Sequence, residues 1–226
     1  MECLKVGGQV FYRFVSGSIK ENMYVLTGRN KALVVDPHKS DELFDLLYKE
    51  NVSDVLIFLT HEHPDHTCGV DPLVKNFAAK LVCQEECAAA IANKKNNRPI
   101  LMAFVLAEQD KKNGMQKAKE FMKEFEEYEC HTDFIFKKSK KIRYLGQNFY
   151  FTSTPGHSKG SCCIKMNEDV VFTGDSLIYG IPVITRFPGG SMKIYEAKTK
   201  PYLDSLNANI TVFPGHGRIF KMKESR

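Results

Sequence analysis

The run Thr60-His61-Glu62-His63-Pro64-Asp65-His66 places four potential metal ligands within six positions, directly after the apolar stretch Val55–Leu59. Backbone leaving a strand sends alternate side chains to a common side, so these residues can converge on one point. Imidazole supplies borderline nitrogen and carboxylate hard oxygen, a donor set suited to zinc, iron or manganese. Three further candidates each follow an apolar run in a glycine-containing turn: His157 in Thr154-Pro155-Gly156-His157, Asp175 in Phe172-Thr173-Gly174-Asp175, and His216 in Phe213-Pro214-Gly215-His216. The glycines let backbone bend sharply and approach closely, which projects the donor past the strand end. Five of the seven histidines occupy such turns. A histidine-rich surface loop would explain one cluster but not the same placement at four separate points of the chain. The pattern predicts a metal site.

The elements that must carry these turns can be read from periodicity. Val10–Val15, Asn22–Thr27 and Ala32–Val35 are β-rich runs punctuated by Gly and Asn. Asp41–Lys49 has Leu43, Leu46 and Leu47 at helical spacing. Val55–Leu59 is short enough for a buried strand, Gly69–Phe77 resumes as helix, and Lys80–Cys83 as strand. The segment 84–130 is long and helix-prone. Within it Met115, Ala118, Phe121, Met122, Phe125 and Tyr128 form a stripe that packing explains better than a cofactor does. A lid over the site and a homo-oligomer contact would both use such a stripe. Strands return at Lys141–Tyr144, Asn148–Ser153, Ser161–Lys165 and Val170–Thr173, followed by a helix over Glu196–Leu206 and a strand over Ile210–Phe213. Two successions of strands with interspersed helices predict an α/β (α+β) domain over 1–226, layered αββα, with a helical insertion at about 84–130.

These residues resemble the metallo-β-lactamase fold, and within it hydrolases similar to glyoxalase II. The resemblance runs from Asn22 to His216 in five motifs: Val34-Val35-Asp36, His61–His66, His157, Asp175 and His216. It implies a four-layer sandwich and two divalent metal ions, zinc foremost, with iron or manganese as alternatives. His61, His63 and His157 would hold the first ion. Asp65, His66 and His216 would hold the second, with Asp175 bridging and Asp36 behind the ligands. β-Lactamases of this fold lack either the bridging Asp or the Asp65–His66 pair. The oxygen-reducing diiron relatives carry Glu where His63 stands. Arg186-Phe187-Pro188-Gly189-Gly190-Ser191 resembles the loop after the bridging Asp in small glyoxalase II-like hydrolases. Glyoxalase II also carries a C-terminal helical region that helps bind glutathione, whereas this sequence ends about ten residues past His216.

Two dications roughly 3.5–4 Å apart lower the pKa of a shared water toward about 7. The expected reaction is attack of metal-bound hydroxide on an ester, thioester or lactone-type bond of a small substrate. Asp65 would orient the nucleophile and Asp175 would neutralise the metal charge. Glu62 is a spacer that points away from the ions. Tyr179, Lys159 and Arg186 are candidate substrate contacts, although surface or core packing explains Tyr179 better and solvated charge explains Lys159 and Arg186 equally simply. The rival classes are a mononuclear iron persulfide dioxygenase and a phosphodiesterase or nuclease of the same fold.

The totals limit the remaining choices. A formal charge of +5 with mixed-sign charges at 26% gives no concentrated basic stripe, so no nucleic-acid partner is expected. No segment approaches the roughly 20 apolar residues of a membrane span, and the N-terminus has no signal-peptide pattern. Seven cysteines without framework spacing read as reduced thiols and favour the cytoplasm. Cys83 and Cys87 have no second pair to complete a zinc site. Cys162 and Cys163 should face opposite sides of a strand. His38 and His131 read as structural or exposed.

Overall fold

Side-chain alternation along the strands sorts apolar residues into two opposed sets, and that sorting builds the layers. The computed structural model describes residues 1–17, 19–97, 103, 107, 115, 116, 118, 119, 122 and 126–225. One sheet runs β1 (Glu2–Val6), β2 (Gln9–Val15), β3 (Asn22–Gly28), β4 (Lys31–Val35), β5 (Asp54–Phe58), β6 (Ala78–Gln84) and β7 (Phe134–Phe136), in that spatial order. Its first four strands pair antiparallel, and β4 to β7 pair parallel. The second sheet has the order β13 (Phe220–Lys221), β12 (Thr211–Pro214), β11 (Val170–Gly174), β10 (Cys162–Met166), β9 (Gln147–Ser153) and β8 (Ser139–Tyr144). Within it β11 and β12 are parallel.

The sheets meet face to face through Phe11, Tyr24, Phe58, Phe149, Phe151, Phe172 and Phe213. These rings prefer edge-on contacts, such as Phe11 against Phe213 at 5.1 Å and Phe58 against Phe151 at 4.7 Å. The outer face of the first sheet (Met23, Val25, Val34, Val55, Ile57) is covered by α1 (Asp41–Lys49), α3 (Val70–Asn76) and α4 (Glu85–Ile91). α1 begins where the Ser40 side chain accepts from the Leu43 amide, and it turns Leu43, Leu46 and Leu47 inward. The outer face of the second sheet packs Cys163, Val171 and Val212 against Leu203 and Leu206. The αββα sandwich is therefore present, with helices on both flanks.

Several details differ from the sequence reading. The strands β1, β7 and β13, each at a sheet edge, are absent from the sequence reading. The helix expected over Glu196–Leu206 starts earlier, at Met192–Ile194, passes through a π turn at Tyr195–Thr199 and ends with Lys200–Asp204. Of the 84–130 stripe, Phe121 and Phe125 lie outside the described residues. Met115 and Met122 are exposed, whereas Ala118 packs with Ala103. Tyr128 is not helical, and its hydroxyl meets Thr67 and the Pro64 carbonyl. Cys162 and Cys163 do point to opposite faces, yet both are fully buried because helix covers the second sheet. No helix among the described residues is long and apolar enough to cross a membrane.

Candidate metal centre

Each candidate donor leaves the end of a strand at the same rim of the sandwich. After β5 the chain bends at Thr60, His63 is extended, and Pro64 opens α2 (Pro64–Thr67), the first-turn position where proline costs no hydrogen bond. This sharp turn places Asp65 and His66 behind His61 and His63. His157 follows β9, Asp175 follows β11 and His216 follows β12. Two of the glycines in these turns press directly against the donors or their supports. Gly174 has φ +49°, and a Cβ there would meet Thr60 Oγ1 at 2.3 Å. A Cβ on Gly215 would lie 2.3 Å from Asp175 Oδ1 and 2.7 Å from His66 Cε1.

The donors assemble into two adjoining groups, either of which could hold a metal ion: His61, His63 and His157, and Asp65, His66 and His216. In the first, His63 Nδ1 lies 3.0 Å from both His61 Nε2 and His157 Nε2. In the second, His216 Nε2 and His66 Nε2 lie 3.3 Å and 3.6 Å from Asp65 Oδ2. Asp175 stands between them. Its Oδ2 is 3.7 Å from His157 Nε2 and 3.6 Å from His216 Nε2, and its Oδ1 is 3.6 Å from His66 Nε2.

Hydrogen bonds from behind fix which nitrogen faces inward. His157 Nδ1 donates to the Ile184 carbonyl at 2.7 Å, which leaves Nε2 as the nitrogen that faces His63 and Asp175. Asp36 accepts from the Thr60 amide at 2.7 Å, from the Thr60 hydroxyl at 2.6 Å and from His66 Nδ1 at 3.1 Å. Because the Thr60 hydroxyl is spent on Asp36, its oxygen accepts from His61 Nδ1 at 3.1 Å. Asp36 thus orients one imidazole in each group. Its own φ of +52°, a region that Asp tolerates better than most residues, aims the carboxylate there. Asp36 can also be grouped with His61 and His66 as a donor set, but both its oxygens are already occupied by Thr60.

Burial and mutual charge set the protonation states. Burial, reinforced by neighbouring imidazoles, pushes His61 well below its ordinary value, and burial takes His63 down to about 3. Burial alone would raise Asp65, but His66 and His216 outweigh it and hold the carboxyl below the usual range. Asp175 is lowered in the same way, against burial, by His216, His66 and His157. Burial opposes protonation of His66 and His216, yet Asp65 and Asp175 overcome it and raise both. The second group therefore sits in negative potential, as a cation site requires.

Asp65 Oδ1, Asp175 Oδ1 and His66 Nε2 are buried without a hydrogen-bond partner among the described residues. Buried polar atoms are normally satisfied. These three, of five such atoms among the described residues, belong to the donors just described, so this set fits bound cations.

A sequence profile of the metallo-beta-lactamase superfamily matches residues 19–216. The chain belongs to the metallo-β-lactamase superfamily. It is similar to a hydroxyacylglutathione hydrolase of Francisella philomiragia, with 27% identity over 216 residues, covering 92% of this chain and 67% of that one. A hydroxyacylglutathione hydrolase of Shewanella halifaxensis is 26% identical over 187 residues, covering 83% and 54%. The chain thus spans about half to two thirds of these relatives' length. Among solved structures, BLEG-1 B3 metallo-beta-lactamase superposes with a TM-score of 0.77 at 23% identity over 95% of each chain. TTHA1623 in a di-iron-bound form gives 0.72 at 23%, over 94% of this chain and 96% of that one. At these identities the likeness attests the shared superfamily fold.

The other candidates fall in different surroundings. Lys159 lines a cavity of about 690 Å³ beside His63, together with Glu86, Lys95 and Phe187. Phe187 packs edge-on against His63 at 5.4 Å, a contact the sequence reading did not single out. Arg186 lies over the Phe187 ring and is not among the cavity's lining residues. Tyr179 occupies the tight turn between Ile178 and Ile181, 3.6 Å beneath the Arg218 guanidinium, outside that lining. Glu62 accepts from the Ser158 hydroxyl at 2.8 Å and the Gly160 amide at 3.3 Å, which ties the His63 and His157 loops together. Cys83 and Cys87 are fully buried, and no cysteine joins a metal-binding group among the described residues.

Three supports had no sequence signal. Asn22 donates to the Pro214 carbonyl at 2.9 Å, and the Tyr24 hydroxyl does so at 2.8 Å. Arg13 grips Asn22 and the Gly217 carbonyl. Together they anchor the His216 loop to the first sheet.

Proposed function

We propose that the chain is a dinuclear metal-dependent hydrolase, glyoxalase II-like, that cleaves an ester, thioester or lactone-type bond of a small substrate. The observation that carries this reading is Asp175, whose carboxylate lies within 3.7 Å of imidazoles from both donor groups. Two divalent ions bound there, zinc foremost, would acidify a shared water toward about 7 and polarise the scissile carbonyl. His61, His63 and His157 would hold one ion and Asp65, His66 and His216 the other. Asp175 would bridge them, and Asp65 would orient the nucleophile. Asp36 keeps the His61 and His66 imidazoles turned inward, which spares reorganisation during the reaction. The cavity beside His63 would receive the acyl group, with Lys159 at its wall and Phe187 excluding water. Six buried free thiols among seven cysteines support a reducing, cytoplasmic setting.

The complete second donor group supports two ions over the single iron of a persulfide dioxygenase. Metal analysis with thioester, lactone and bis(p-nitrophenyl) phosphate panels tests the proposal. Two ions per chain with acyl-bond turnover are expected, and Asp175→Ala should abolish turnover while the circular dichroism spectrum is retained. One iron per chain with oxygen uptake, or full activity in the variant, would refute it.

A further inference from the structure

Glu21 and His38 form a buried acid–imidazole pair that the reaction as described does not use. Glu21 is 0% exposed and His38 6%. His38 Nδ1 bonds to Glu21 Oε2. The other Glu21 oxygen, Oε1, lies 3.8 Å from His66 Nδ1 and has no hydrogen-bond partner among the described residues. The backbone makes a second link. Glu21 and His216 form an isolated antiparallel bridge, and the adjacent Asn22 amide donates to the Gly215 carbonyl at 2.7 Å. One residue therefore touches two of the donors of the second group, one by side chain and one by main chain.

Burying an acid and an imidazole costs desolvation that an apolar pair would not, and burial pushes Glu21 well above its ordinary value and His38 down to about 4, both toward the neutral form. Satisfying His38 alone does not account for the arrangement, because Oε1 is aimed at His66 instead of at a local donor. Asp36 already accepts the His66 Nδ1 hydrogen at 3.1 Å, so Glu21 Oε1, 3.8 Å from the same nitrogen, backs the ring as a second polar neighbour and not as its hydrogen-bond acceptor. We propose that Glu21, held in place by His38, is a positioning residue for the second cation, seating His66 from behind while its main chain carries the His216 loop. This rests on the two-ion reading above. Among the described residues, the side-chain hydrogen bonds and ion pairs of Glu21 and His38 reach His66 and not His61, His63 or His157, so the effect is expected at one ion.

The test is stepwise titration of metal-free protein with Co2+, followed by visible absorption and competition with a chromophoric chelator. Glu21→Gln keeps the length of the side chain and an acceptor for His38. It should weaken the second ion by about 10–100-fold and leave the first unchanged. His38→Asn, which frees Glu21 to turn away, should act in the same direction. The melting temperature of the metal-free protein provides the structural control. Equal weakening of both ions in step with a lower melting temperature, or unchanged affinity in both variants, would overturn the inference. Uptake of a single ion by the unaltered protein would instead refute the two-ion reading on which it stands.

Discussion

Replacing Gly215 by alanine adds one methyl group directly against two donors of the centre. The new Cβ would lie 2.3 Å from Asp175 Oδ1 and 2.7 Å from His66 Cε1, whereas real Cβ contacts stay beyond 3.0 Å. The carboxylate oxygen would have to retreat by about 0.7 Å, or the loop would have to move by that distance. The loop is not free to move. The Gly215 amide donates to the Gly174 carbonyl at 2.9 Å, and its carbonyl accepts from Asn22 at 2.7 Å. Overpacking of this kind costs about 1–3 kcal/mol. For a chain of this size that is a melting-temperature loss of roughly 2–12 °C. The functional penalty should be larger, because a misplacement near 1 Å at a reacting centre costs about 100-fold in rate. The assay is ion content and hydrolytic kcat/KM, set beside Gly17→Ala, whose Cβ would meet nothing within 4 Å. A G215A protein with a full ion complement and unaltered turnover would refute the reasoning.

Asp36→Asn removes the anion that accepts from Thr60 and His66, and should weaken ion binding by about 10–100-fold in a chelator-competition assay; unchanged affinity contradicts this. Acidification should release the second ion before the first. His66 and His216 are raised by Asp65 and Asp175 and take up protons at higher pH than His61 and His63, which are lowered by burial. Ion content after gel filtration at descending pH checks the order, and loss of the His61–His63–His157 ion first would be the wrong sign. Chelation should lower thermal stability: an ion present at 1,000 times its dissociation constant contributes about 4.1 kcal/mol. That corresponds to a loss of roughly 8–16 °C by calorimetry.

Local features were legible without a structure. The donors announce themselves because metal chemistry needs particular residue types, and because glycines mark the turns that project them. Strands such as Val55–Leu59 and Val170–Thr173 show themselves as apolar runs, and α1 by its leucine spacing. Asp36 was found through its motif, as a residue beside the site.

What escaped depends on distance through space. Glu21 is one acid ahead of a strand and His38 one base past a proline. Neither carries a local mark, and each matters only because folding buries it against the other. Tyr128 shares the spacing of the helical stripe, yet the fold sets its hydroxyl against Thr67. The strand β7 is three residues long and exists only because β6 offers it a parallel edge.

The sequence by itself determined which donors exist and which turns carry them, since residue identity and backbone punctuation are properties of short segments. Only the tertiary structure decided that strand ends far apart in the chain share one rim, which oxygens are already occupied and which remain free. Burial, charge coupling and hydrogen-bond competition arise between segments, so they acquire values only once the two sheets have closed on each other.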